Sequence, residues 1–499
     1  MAWAFGESWD CYANPADAIN GYWDATTTTG NNSLQPGRFA GSQALRWTAT
    51  SSSTWVKTSA VNDAVHHFVV AFNQSAAITG SSLGLYLLLS DGTTGQCAIV
   101  FRSDGAILLT SGTAGGTVLD TYTGAFPVAN TWYAFEFEVV INNTAGSWAV
   151  RKNGNTTNDR ALGSLNTRPV SANNYANKLT IAEQATVNAQ HLDDLYWRSD
   201  ASSVAWMGDI RCYTRAPASD ASAQFSRTPT GVLTQTVPPT TNNSASSSGI
   251  ARYTQFTATY SGTVTNVSVS FTTAGNAVNM KCAIYADNAG APGAILATAT
   301  APFTPVVAGT NTFTFSPGVA IVKGTAYWIG AATDGTTGLF TTFNSAATGA
   351  SSTTSYAVFP QANPVVSIPS NLAQMSWTYT ATPANWQAVS EAQQDATTSY
   401  VYDSVVGHSD LYGIAAIAST PLTTYAVTTR AYAIKSDAGT RTMAVQLKSG
   451  STTVASPTVV LTPSNWQWAW RHDTTDPATG AAWTAAAVNV AQVGPVVIA

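Results

Sequence analysis

Residues 131–154 read TWYAFEFEVVINNTAGSWAVRKNG. From Phe135 to Val139 apolar and charged side chains alternate with a period of two. That spacing puts Phe135, Phe137 and Val139 on one face of a strand and Glu136 and Glu138 on the other. NNTAG (142–146) has turn composition, residues 148–151 form a partner strand, and Lys152-Asn153-Gly154 closes it in a tight turn. The stretch predicts an antiparallel hairpin with one face in a core and Glu136 and Glu138 in water.

The same pattern extends outward along the chain. Short Val/Ile/Thr/aromatic runs bounded by Gly, Asn, Asp and Ser occur at 68–72, 83–89, 98–101, 132–141, 148–151, 264–271, 281–285, 310–315, 426–434 and 443–447. Helical periodicity is nearly absent, so the fold class is all-β. At 52.0 kDa the chain is long for one core, and 45% hydrophobic residues with 16 Trp supply material for several. Two Pro-bearing composition shifts, at 228–249 and 364–383, divide it into three expected β-sandwich or jelly-roll domains in tandem: 1–229, 230–383 and 384–499.

Charge is scarce. The 499 residues include 21 Lys or Arg and 26 Asp or Glu, and between Thr230 and Pro383 only Arg252, Lys281, Asp287, Lys323 and Asp334 are charged. A net charge of -5 and the absence of a Lys/Arg cluster argue against nucleic-acid binding and against a polybasic membrane surface. The apolar runs fall far short of a helical span, and MAWAFGESWDCY has neither the basic nor the apolar region of an export signal. Cys11, Cys97, Cys212 and Cys282 are widely spaced and read as free thiols.

Several motifs carry resemblances. FGESWDCY, GYWD, residues 131–154, HLDDLYWRSD (191–200) and GDIRCYTRAPAS (208–219) resemble the concanavalin A-like, laminin-G-like sandwich found in phage virion proteins. Residues 385–413, 431–450 and 475–498 are similar to the β domain that follows that sandwich in phage tail and virion structural proteins. AIYADNAGAPGAILATAT (283–300) and GTAYWIGAATDG (324–335) resemble a small jelly roll of the carbohydrate-binding-module type, here an apparent insert. The resemblance implies a structural and adhesive virion component, a fibre, spike or decoration protein. Its implied partners are other virion proteins, copies of itself and host-surface glycan. Its implied location is the extracellular particle, after synthesis in a host cytoplasm.

Candidate chemistry is thin. Glu136 and Glu138 have the spacing of paired carboxylates in laminarinase-type hydrolases, but Val139 to Asn142 offers no third carboxylate, so no catalytic residue is expected. A glycan depolymerase and a purely structural cement protein are the alternatives. Asp193 and Asp194 are weak calcium candidates whose simpler role is to order a turn; no cofactor is expected. His66 and His67 point to opposite faces and cannot share a metal. Trp23, Trp206 and Trp328, with Asp287 and Asp334, are the glycan-binding candidates. Trp466, Trp468 and Trp470 share one face, the pattern of a buried face or an interface.

Overall fold

The computed structural model describes the chain outside residues 1–2, 20, 27–31, 48–52, 184–189, 201–204, 229–230, 237–245, 248–250, 274–275, 277–278, 301–306, 336–338, 341, 345–348, 353–354, 368–370, 382–383, 392, 396 and 418–422. Much of the two Pro-bearing stretches therefore lies outside the described residues. Among the described residues the helical elements are two short 3-10 turns, Pro15–Ala18 and Asn385–Ala388, and one α-helix, Ala485–Val490. Everything else regular is strand, and the ten runs read from the sequence lie inside strands or within one residue of them. By internal contacts the chain divides into two units, residues 1–226 with 385–499, and residues 227–384.

The first unit contains a sandwich of two antiparallel sheets. One runs in the order Arg160–Leu165, Gly146–Lys152, Tyr133–Val140, Val65–Gln74, Gln190–Asp200, Gln43–Trp47, Asn32–Pro36, with Trp3–Glu7 also paired to Gln190–Asp200. The other runs Val118–Tyr122, Ile107–Ser111, Thr94–Arg102, Leu83–Asp91, Ala176–Glu183, Thr54–Asp63, Ala25–Thr26. The two-residue period explains the layering. Phe137 stands in register with Phe68 and Val150, and together they face Leu87, Ile99, Phe101 and Ile181 in a common core. Phe72 and Phe101 stack across it with ring centroids 4.1 Å apart.

Residues 385–499 supply five strands of a six-stranded sheet, in the order Pro217–Ser222, Leu411–Ile414, Gln492–Val497, Arg441–Ser449, Thr452–Ala455, with Val459–Leu461 also paired to Arg441–Ser449; the edge strand Pro217–Ser222 comes from earlier in the chain. The antiparallel pair Val427–Ala433 and Gln467–Asp473 packs against the first sandwich. A buried polar centre joins them. Glu7 Oε1 accepts the backbone N–H groups of Ser8 (2.9 Å) and Trp9 (3.0 Å), and Oε2 accepts Tyr12 Oη (2.7 Å) and Trp23 Nε1 (2.9 Å). Arg430 Nη1 lies 3.4 Å from Glu7 Oε1 and donates to Tyr12 Oη at 2.8 Å. Trp468 Nε1 donates to Asp17 O and Trp470 Nε1 to Gly21 O. Gly21 has φ +113°, and a Cβ there would sit 2.8 Å from the Trp468 carbonyl oxygen, so the close approach requires glycine.

The second unit is another two-sheet sandwich. Gly231–Thr236, Met375–Ala381 and Gly262–Thr273 are consecutive neighbours in one sheet, and Gly309–Ile321 also pairs with Gly262–Thr273. Ala291–Thr298, Met280–Asn288, Ala326–Thr333, Ala251–Thr257 and Gly349–Ser352 form the other. Val267, Val269, Phe271, Phe313, Phe315, Ile284, Ile329 and Trp377 fill the space between them. All four cysteines are free, with Cys97 and Cys282 buried.

Candidate binding site

Two of the three tryptophans read as sugar platforms are core residues. Trp23 is fully buried, edge-on to Phe5 and Trp55, and its Nε1 is committed to Glu7. Trp328 is 1% exposed and donates from Nε1 to Asp287 Oδ1 at 2.7 Å. Neither ring has a free face for a sugar, because each large apolar side chain gains more from burial than a surface position would return. Trp206 is half-buried, with the Arg151 guanidinium 4.0 Å above its ring and His67 against it at 5.1 Å.

Asp287 is a turn-forming group rather than a ligand arm. Gln255 Nε2 (2.7 Å) and Trp328 Nε1 bond its Oδ1, and the Gly290 N–H (3.1 Å) bonds its Oδ2. Burial pushes its carboxyl up, but those donors outweigh burial and hold it below the usual range. Asp334 is exposed and bonds the backbone and side chain of Asn279 at 2.9 and 2.6 Å. Because Met280 pairs with Thr333 and Ala286 with Tyr327, the two aspartates stand at opposite ends of one strand pair. The fold does not bring them together.

The Asp193-Asp194 pair orders a bulge. The register of Gln190–Asp200 against Val65–Gln74 shifts between Asp193 and Tyr196, and Asp194 adopts φ +51°. Asp193 Oδ2 accepts the Arg38 N–H at 2.8 Å and Ser42 Oγ at 3.3 Å, and Asp194 Oδ1 accepts the Cys212 N–H at 2.7 Å. Asp194 Oδ2 is buried without a hydrogen-bond partner. Burial first, then the Asp193 charge, pushes the Asp194 carboxyl well above its usual range. Among the described residues no cluster of three or more His, Cys, Asp or Glu side chains could hold a metal ion.

Glu136 and Glu138 do share the outer face of their strand, but Glu136 is not in water. It is 3% exposed, and its two oxygens accept the N–H groups of Met207 (2.5 Å) and Gly208 (2.9 Å). The segment after the sandwich folds back over this face, where Met207 packs with Ala4, Val69 and Tyr196 and its carbonyl accepts Tyr425 Oη. His67 Nε2 lies 2.9 Å from Glu138 Oε2, and Nδ1 lies 3.7 Å from Glu136 Oε1. Burial alone would depress His67, but the two glutamates outweigh it and raise its pKa. His66 faces the opposite way, into the core, and burial lowers it to about 4.

The surface most unlike an ordinary protein exterior belongs to the second unit. Strands Gly231–Thr236, Met375–Ala381, Gly262–Thr273 and Gly309–Ile321 contain no charged residue. Their outward positions align in rows. Thr236, Ser376, Ser268 and Thr312 make one row, and Thr234, Thr378, Asn266 and Thr314 the next. Ser268 Oγ bonds Thr312 Oγ1 at 2.9 Å, and Thr234 Oγ1 bonds Thr378 Oγ1 at 3.1 Å. Individual positions in this array escaped the sequence reading, which concentrated on aromatics and carboxylates. Its signal was the alternation of Thr or Ser with Val, Phe or Trp in VSVSF, FTF and SWTYT.

This geometry defines the class: an antiparallel β-sandwich protein. No protein-family model matches the chain, and no curated protein matches it. Similar solved structures include the catalytic domain of a glycoside hydrolase family 131 protein from Coprinopsis cinerea. It is 10% identical with a TM-score of 0.28, over 42% of this chain and 97% of that one. A carbohydrate esterase of the Shiga toxin-encoding bacteriophage phi24B is 14% identical with a TM-score of 0.24, over 40% and 90%. Winged bean acidic lectin, solved with methyl-alpha-D-galactose, is 9% identical with a TM-score of 0.26, over 40% and 98%.

Proposed function

We propose that the chain is a structural and adhesive component of a bacteriophage virion, a fibre, spike or decoration protein with three sandwich domains at 1–229, 230–383 and 384–499. Its middle domain offers a neutral face to uncharged host-surface glycan. The observation that carries the binding reading is the uncharged array of aligned hydroxyl rows around Ser268, Thr312, Thr378 and Thr234. Hydroxyls on a regular sheet can donate to and accept from sugar hydroxyls, and the threonine methyls between them contact the apolar ring faces. With no charge on the face, ionic strength has little to screen. The virion assignment rests on the sequence motifs of the first and last domains.

The test is binding of the full-length protein to an array of uncharged oligosaccharides in 50 mM and 500 mM NaCl. Retention at both salt levels, lost in Ser268→Lys and Thr378→Lys, supports the reading. Binding that survives both substitutions removes the face from it.

The His67–Glu138 contact favours a second reading, a glycan hydrolase with a carboxylate and an imidazole as its acid and base. Glu136, its partner carboxylate, has both oxygens occupied by backbone N–H groups, which leaves it a structural clamp. Release of reducing ends from host polysaccharide, abolished by Glu138→Gln with an unchanged melting temperature, would establish the hydrolase instead.

A further inference from the structure

The segment Arg211-Cys212-Tyr213-Thr214-Arg215 borders a cleft of about 340 Å³ lined also by Asp10, Ala40, Gly41 and Ser42. This is the small end of the range of ligand clefts, roughly 300–1,000 Å³. Its cations are arranged unusually. The Arg211 guanidinium lies 3.8 Å from the Phe39 ring centroid and 4.1 Å from that of Tyr213, and Arg215 lies 5.1 Å from the same tyrosine. Arg211, Tyr213 and Arg215 thus stack as a ladder that Phe39 extends. Arg211 Nη1 also donates to Tyr213 Oη at 3.2 Å, which fixes the plane of its guanidinium.

Neither cation is neutralised. Among the described residues no carboxylate lies within ion-pair distance of Arg211 or Arg215, whereas nearby Arg38 is paired with Asp209 and Asp194. Arg215 Nε is buried without a hydrogen-bond partner. Asp10, the one carboxylate lining the cleft among the described residues, has Oδ1 engaged by the Gln43 N–H at 2.7 Å. In a chain with so few basic residues, two stacked and unpaired guanidiniums on one cleft are ready for an external anion. A guanidinium held between rings has lost its rotamer freedom already and presents its fork edge-on, the geometry that pairs with a planar carboxylate. Asp10 in the same cleft penalises a doubly charged ligand such as a phosphate monoester more than a singly charged carboxylate.

We propose that this cleft binds the carboxylate of an acidic glycan, with Arg211 and Arg215 as its ligands. Its residues all belong to the first unit, so it stands or falls without the neutral face of the second.

The test uses the full-length protein and three polymers, polygalacturonate, dextran sulfate and uncharged dextran. The cleft predicts binding to polygalacturonate in 50 mM NaCl that weakens at least tenfold in 500 mM. Arg215→Gln should weaken it about tenfold with an unchanged melting temperature. Arg211→Lys keeps the charge but loses the fork and the stack, and should weaken it comparably. Binding unaffected by both substitutions, or seen with dextran sulfate but not polygalacturonate, overturns the proposal. Dextran binding that Arg211→Lys weakens as much as it weakens polygalacturonate binding also overturns it, since no carboxylate would then be needed.

Discussion

At the residue scale, Glu7, Glu136 and Asp194 of the first unit are buried carboxylates whose burial has measurable consequences. Glu136→Gln leaves one of two backbone N–H groups without an acceptor, so it should destabilise the protein by about 1–3 kcal/mol, read from the denaturant midpoint. Arg430→Met should cost more, about 3–5 kcal/mol, because it strands the buried Glu7 carboxylate. Asp194 gives a pH test. Its folded pKa is raised, so the folded state holds a proton that the unfolded chain releases near pH 4. The stability it contributes is present at low pH and is lost as pH rises through the folded value. Asp194→Asn, which keeps the acceptor for Cys212 and tolerates φ +51°, should therefore raise the melting temperature more at pH 8 than at pH 5. Such roles were only half legible in the sequence. Alternation correctly set Glu136 opposite Phe135 and Phe137, but what covers that face is a segment some 70 residues later in the chain, which local periodicity cannot report.

At the element scale, strand positions were readable because one face of each strand must be apolar and the turns need Gly, Asn or Asp. The pairing of Pro217–Ser222 with Leu411–Ile414 was not, since neither strand alternates strongly and their partnership spans the whole second unit. The role of Gln467–Asp473 lies between these cases. Its tryptophan spacing announced a buried face, and the structure shows what that face meets: the Asp17 and Gly21 carbonyls and the Tyr12 ring. Trp468→Ala should destabilise the first unit by about 3–5 kcal/mol. The same change should speed proteolysis of residues 385–499 more than of residues 65–102, because it loosens the packing of Gln467–Asp473 before that of the sandwich core.

For the whole molecule, the distribution of charge separates two kinds of surface. The first unit has buried carboxylate clamps and a cation-lined cleft, and the second carries an array of hydroxyls on four strands with no charged residue. Salt should therefore act on the two surfaces in opposite ways, weakening capture of a polycarboxylate and sparing capture of a neutral glycan. The most direct measurement is binding of full-length protein to the uncharged oligosaccharide array at 50 mM and 500 mM NaCl, with Ser268→Lys alongside. Salt-independent binding abolished by Ser268→Lys is the predicted result; binding that high salt removes, or that the lysine leaves intact, contradicts the account.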